Sequence, residues 1–179
     1  DERRYSEIIV TRVTVSVEPA DRWAGEGPLA ERAVAAAAMA MVGTYLRDGA
    51  GPQFQVVVHE CPPEHTGLGV GTQLSLAAAA AVYRHLGWPL SPVEGFARAL
   101  GRGARSGIGT RGFAAGGFLV EPARAPPFDR PGPVTRLELP ADWRVVLARP
   151  AGAGRWHGDA ERAAFARAVP PAEAAAHLQ

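Results

Sequence analysis

The residues best suited to chemistry lie in a short run, Pro62-Pro63-Glu64-His65-Thr66-Gly67-Leu68-Gly69-Val70-Gly71-Thr72-Gln73, between a strand-like segment and a helix-like one. Gly67, Gly69 and Gly71 alternate, so the backbone can take positive φ and come close to a bound group. The run opens a helix, whose first N–H groups lack intrahelical partners and carry the positive end of the dipole. Such a turn suits an anion, and phosphate above all. The same shape also serves a tight strand-to-helix turn that holds nothing, and the residues alone leave both readings open. The glycine spacing is not the G-x-G-x-x-G of dinucleotide-binding folds. Within the run, His65 can donate to a phosphate or act as an acid. Glu64 can position Mg2+ or accept a proton, but without a metal it would repel a phosphate.

A second segment, Gly101 to Gly117, holds seven glycines, three arginines and no acid. Arg102, Arg105 and Arg111 make a local positive patch, and guanidinium forks match phosphate or carboxylate oxygens bidentately. Ser106 and Thr110 add hydroxyl donors, while Gly107 and Gly109 allow close approach. The alternative is a solvated basic loop, against which Ile108, Phe113 and Phe118 stand as apolar anchors. Two such segments suit a ligand with more than one phosphate, or a phosphate and a carboxylate.

Composition narrows the chemistry further. All 19 basic residues are arginine, so a Walker-type loop, which needs lysine, is excluded. A formal net charge of +1 gives no broad basic surface of the kind that nucleic acids require. The single cysteine, Cys61, excludes an internal disulfide framework and a multi-cysteine zinc site, and reads as a small packing residue. The apolar run Leu74–Tyr83 is too short to span a bilayer, so no membrane partner is expected and a reducing cytoplasm is the default setting. His59 reads as structural. His85 and His177 sit near helix ends and receive no role. Trp23, Trp88, Trp143 and Trp156 read as packing anchors, one of which could stack on an aromatic substrate.

These residues need elements to hold them. Glu7–Val17 and Gln53–Glu60 read as strands, with a linker from Ala20 to Pro28 and an alanine-rich helix over Leu29–Leu46. Thr72–Leu86 reads as a helix stopped by Gly87. Ser91-Pro92-Val93-Glu94 is a capping box for a helix ending at Leu100. The segment after Gly101 is read as a loop running into a strand at Phe118–Glu121. Further strands are expected at Val134–Leu139 and Trp143–Ala148, and a helix from Asp159 to about Ala168. Strands and helices do not alternate strictly, which indicates an α+β fold, a mainly antiparallel sheet with helices on one face. The chain starts at Asp1 without methionine and ends in a helical pattern, so 1–179 reads as one phosphate-binding domain from a longer polypeptide.

The two glycine-rich segments resemble the GHMP kinase superfamily. Glu60 through Gln73 is similar to its phosphate loop, usually P-x-x-x-G-L-G-S-S, and the Gly71-Thr72-Gln73 ending is closest to the β-ribofuranosylaminobenzene 5′-phosphate synthases of methanopterin biosynthesis. The second likeness is Gly101-Arg102-Gly103 with Arg105-Ser106-Gly107-Ile108-Gly109-Thr110 and Gly116-Gly117-Phe118. Weaker similarity runs from Val17 to the helix after Gly158-Asp159, with His157 and Asp159 in a family-like loop.

The resemblance implies a ribosomal protein S5 domain 2-like fold, the GHMP N-terminal domain, with a left-handed βαβ crossover. It implies condensation of phosphoribosyl pyrophosphate with 4-aminobenzoate or 4-hydroxybenzoate, losing pyrophosphate and CO2. In that reading Glu64, His65 and Arg105 are catalytic. Gly67, Leu68, Gly69, Val70, Gly71, Thr72, Gln73, Arg102, Arg105, Ser106, Gly107, Gly109 and Thr110 bind substrate phosphate. Mg2+ assists, no organic cofactor is needed, and a homodimer is left open. Val70 stands where the family commonly has a small or hydroxyl residue, and the family's C-terminal domain has no counterpart before Gln179. An ATP-dependent small-molecule kinase, or a non-catalytic phosphate-binding or assembly domain, are the other readings.

Overall fold

The computed structural model describes residues 4–6, 12–45, 51–90, 92–103, 106–122, 133–146 and 163. Its organising strand is Gln53–Glu60, which with the other elements forms the order β1 (Arg4–Ser6), β2 (Thr14–Ala20), β3 (Ala24–Glu26), α1 (Ala30–Tyr45), β4 (Gln53–Glu60), α2 (Val70–His85), α3 (Val93–Ala99), α4 (Ile108–Ala115), β5 (Phe118–Pro122) and β6 (Thr135–Leu137). Among the described residues the strands form two three-stranded sheets, β2-β4-β3 and β1-β5-β6. β2 runs antiparallel to β4, and β3 runs parallel to it. The pairings of β5 with β1 and β6 are both antiparallel. This is the expected α+β arrangement.

Alternation along β4 decides which face is covered. Phe54, Val56 and Val58 are buried, whereas the ends of the strand are exposed. Above that face α1 and α2 lie side by side, α1 on β3 and β4, α2 on β2. Alanines at 33, 37, 78 and 79 are fully buried between them, and their small side chains let two helices and a strand approach closely while Leu74, Leu76 and Val82 supply volume. An aromatic set closes the far end. Trp23 and His85 flank Phe54 at 5.6 and 5.3 Å, and Tyr83 meets Trp88 and Phe96 at 5.1 and 4.9 Å. Trp23 and Trp88 are thus the packing anchors expected, whereas Trp143 is exposed.

Several boundaries differ from the sequence reading. The linker after Ala20 contains β3, three residues without a pattern of their own, ordered by the edge of β4. β2 covers Thr14–Ala20, so the strand expected from Glu7 reaches further toward the C-terminus than its alternation indicated. Pro19 is tolerated because β2 is an edge strand. Residues 143–146 form no strand. The capping box loses one residue of register, with Pro92 at the N-cap of α3, and Ser91 lies outside the described residues. The helix expected from Asp159 also lies outside them, apart from Ala163.

The largest difference is α4, a helix where a glycine-rich loop was expected. Glycine costs a helix about 0.5–1 kcal/mol against alanine, so local propensity argued against it. Packing overrides that cost. A Cβ at position 109 would lie 3.0 Å from Thr72 Cγ2, and one at 112 would lie 3.5 Å from Leu119 Cδ1. These glycines let α4 sit tightly on α2 and β5, and Ile108 is buried beneath them.

Phe54→Ala should test the core. Its ring is 1% exposed, so truncation should cost about 3–5 kcal/mol in urea unfolding with little change in the slope of the transition.

Candidate functional site

The start of α2 is built by a single left-handed residue. Gly69 caps the helix at φ 64°, ψ 16°, and its carbonyl accepts from the N–H groups of Thr72 and Gln73 at 3.0 and 3.1 Å. A residue with a Cβ would be disfavoured in that conformation. The helix ladder therefore leaves the N–H groups of Val70 and Gly71 for other partners. Val70 turns its side chain into the core, so this position offers backbone only. Gly67 is exposed, and Leu68 is half-buried.

Two guanidinium groups converge on this helix end. Arg32, from the first turn of α1, lies over Gly71, where a Cβ would fall 2.7 Å from its Nη2. Arg102 arrives from the other side, its Nη2 donating to Ser75 Oγ at 3.2 Å, and that hydroxyl in turn donates to the Gly71 carbonyl at 2.8 Å. The backbone of Arg102 is pinned by the turn that ends α3. Gly101, at φ 66°, donates to the Arg98 carbonyl, and Arg102 N–H donates to that of Ala97 at 2.8 Å. This is a Schellman closure, and it aims the following side chain reproducibly. Burial, reinforced by the nearby Arg32 and opposed by Glu64, lowers the pKa of Arg102. An arginine still keeps its charge at neutral pH. Arg102 Nε is buried without a hydrogen-bond partner among the described residues, as is Thr110 Oγ1.

Glu64 supplies the negative charge of the cluster, through an ion pair and hydrogen bond with Arg32 Nη1. His65 beside it is exposed and adopts φ 60°, a left-handed conformation uncommon for a residue with a Cβ. Cys61 is half-buried behind the pair. Burial raises its pKa first, the Glu64 carboxylate raises it further, and Arg32 partly offsets both.

The two glycine-rich segments meet, but they do different work. Gln73 donates from Nε2 to the Gly109 carbonyl at 2.8 Å, and Thr72 packs against Gly109. Gln73 is thereby engaged within the protein through both its side chain and its N–H. At the N-terminus of α4, the carboxylate of Glu121 accepts from Gly107 N–H at 3.1 and 3.0 Å and from Ser106 Oγ at 2.6 Å. Ser106 Oγ also accepts from Ile108 N–H at 3.2 Å. An internal anion thus occupies this second helix end, and Ser106 and Gly107 are committed to it. Arg111 pairs with Glu94 at 3.1 Å, beside an open cavity between β2, α2, α3 and α4 to which no residue of 62–73 contributes. Arg105 lies outside the described residues. His59 bonds Ser16 Oγ at 2.7 Å on an exposed strand surface, a structural place as expected.

Arg32 and Glu121 were not singled out from the sequence. Arg32 carried one signal, a cation in the first turn of a helix, where the dipole disfavours it. Glu121 carried another, a carboxylate sharing a strand face with buried Leu119.

The stretch that carries this helix end and both arginines also matches a family model. Residues 31–117 match the model of the GHMP kinases N terminal domain. The chain is also similar to beta-ribofuranosylphenol 5'-phosphate synthases of archaea. It is 35% identical over 114 residues to that of Methanothermobacter thermautotrophicus, 57% of this chain and 34% of the relative. Over 134 residues it is 34% identical to that of Archaeoglobus fulgidus, covering 68% of this chain and 41% of the relative. The matched stretch therefore spans well under half the length of either relative. Among the described residues no helix is long and apolar enough to cross a membrane, and no group of three or more acidic, histidine or cysteine side chains is placed to hold a metal.

Two measurements check this geometry. The raised pKa means that Cys61 holds less thiolate at neutral pH than an ordinary thiol, so iodoacetamide should label it slowly, with the rate rising only above the usual thiol range. Glu64→Gln removes one raising cause and should move that pH–rate profile downward. The corresponding stability is present below the unfolded thiol pKa and fades as pH climbs through the folded one. For Glu121→Ala, a buried Gly107 N–H loses its acceptor, and urea unfolding should show a loss of about 1–3 kcal/mol.

Proposed function

We propose that this domain seats the phosphate groups of phosphoribosyl pyrophosphate for condensation with 4-hydroxybenzoate. The observation that carries the reading is the convergence of Arg32 and Arg102 on the amide end of α2. Backbone donors and guanidinium forks need no lysine, in keeping with a chain whose 19 basic residues are all arginine. The relatives' name supports a product in which ribose 5-phosphate is joined to a phenol, and so favours the hydroxylated over the aminated benzoate.

In this reaction the bond between ribose C1 and pyrophosphate breaks, with the electron pair leaving on pyrophosphate. C1 bonds to the ring carbon that bears the carboxylate, and CO2 departs, returning its electron pair to the ring. The protein's contribution is electrostatic. Val70 and Gly71 N–H groups with Arg32 and Arg102 stabilise negative charge as it accumulates on the leaving group, in a half-buried site where such donors are preorganised. His65, exposed on the loop, stands at the solvent side, and Arg105 belongs to this reading as a further guanidinium of the second segment. Mg2+ would come with the pyrophosphate, keeping several of its waters and bound through the substrate phosphates. The cytoplasm, where such a soluble phosphorylated substrate resides, completes the reading.

Calorimetry of the full chain with phosphoribosyl pyrophosphate and with ATP, each with Mg2+, tests it. Binding of the former is expected. Binding of ATP alone would replace the synthase by a kinase, and binding of neither to folded protein would leave a non-catalytic domain. Gly71→Ala sharpens the test. Alanine favours the helix by up to about 1 kcal/mol, so the melting temperature should hold. The new Cβ displaces the Arg32 guanidinium, and affinity for phosphoribosyl pyrophosphate should fall about tenfold or more.

A further inference from the structure

The anion site at α2 already contains an anion. Arg32 holds the Glu64 carboxylate, and both side chains are partly shielded, at 35% and 20% exposure. Glu64 belongs to the loop itself, one residue before His65, whose φ of 60° departs from the usual preference of a residue with a Cβ. Charge is also left over. Arg32 and Arg102 are two cations close enough to influence each other, Glu64 is the one anion paired with them through Arg32, and Arg102 Nε is buried without a partner among the described residues. At the neighbouring α4 the same chemical problem is solved differently, by Glu121, which is 5% exposed and accepts from a backbone N–H and a hydroxyl. One helix end is closed by a carboxylate packed into the fold. Beside the other, the carboxylate belongs to the preceding loop and pairs with Arg32.

We infer that Glu64 is a resident anion that ligand binding exchanges: a phosphoryl group takes its place on Arg32, and the carboxylate swings out with the His65 turn. This rests on the reading of α2 as a phosphate site and adds how that site is regulated. A phosphoryl group carries more charge and more acceptor oxygens than a carboxylate, so it satisfies Arg32, Arg102 and the helix amides together. Glu64 cannot stay, because two anions sharing a half-buried site repel strongly. The exchange keeps the arginines apart and aligned while no ligand is bound, and it sets a threshold that weakly charged anions do not cross. Glu64 is therefore a positioning and selectivity residue.

Inorganic pyrophosphate is the probe, titrated into the full chain by calorimetry, first with a chelator and then with Mg2+. Without metal, Glu64→Gln should bind about tenfold more tightly than wild type, because the competing charge is gone. Arg32→Gln should bind about tenfold more weakly, and the double variant should bind no better than Arg32→Gln. In wild-type protein, carbodiimide labelling of Glu64, read by mass spectrometry, should rise severalfold when pyrophosphate is added. That readout needs no variant to fold. Metal-free binding that is unchanged or weaker in Glu64→Gln, or labelling that stays level or falls, overturns the exchange. A loss in Glu64→Gln confined to the Mg2+ titration also overturns it, by making Glu64 a metal ligand. Failure of wild type and Glu64→Gln alike to bind pyrophosphate removes the phosphate site itself, whereas binding with equal affinities removes only the exchange.

Discussion

Two helices start side by side in this domain, and each start presents backbone N–H groups that the helix cannot satisfy. Every other feature of the site follows from how those donors are met. At α4 the fold sends in Glu121 from β5, whose carboxylate accepts from Ser106 and Gly107. At α2 two arginines arrive, one from α1 and one from the end of α3, with the loop's own Glu64 paired to the first. A helix end facing positive charge is unfavourable by itself, and an exogenous anion relieves it. The asymmetry is between a helix start met by a carboxylate from the sheet and one flanked by two arginines.

That asymmetry depends on packing of small residues. The alanine faces of α1 and α2 draw the two helices close enough for Arg32 to cross over Gly71, and Gly109 lets α4 press against Thr72. Larger residues at these contacts would separate the elements that carry the two arginines. The glycines of the second segment, which look like flexibility in the chain, act instead as contact points between rigid helices. Stability and the placement of the two arginines are here set by the same contacts.

Much of the scaffold was legible in advance. β4, with its buried apolar centre, α1, and α2 ending at Gly87 were all visible because period and terminators act locally. The 62–73 loop stood out for the same reason, as three alternating glycines before a helix are a local backbone signal. Less visible were α4 and β3. One is a helix with poor propensity held by Glu121 and close packing, and the other is three residues ordered by pairing with β4 and packing under α1. Both owe their structure to partners distant in the chain.

By itself the sequence determined the α+β class, the place of the glycine-rich turn that opens α2 and the exclusive use of arginine as cation, all consequences of residue type and near-neighbour spacing. Tertiary structure alone decided which donors face the site. It moved Ser106, Gly107 and Gln73 into internal hydrogen bonds, brought Arg32 from 39 positions before Gly71 in the numbering, and seated Glu64 on it. The physical reason is that a charged side chain's role depends on which opposite charge lies within a few ångströms, and near-neighbour spacing does not reveal that.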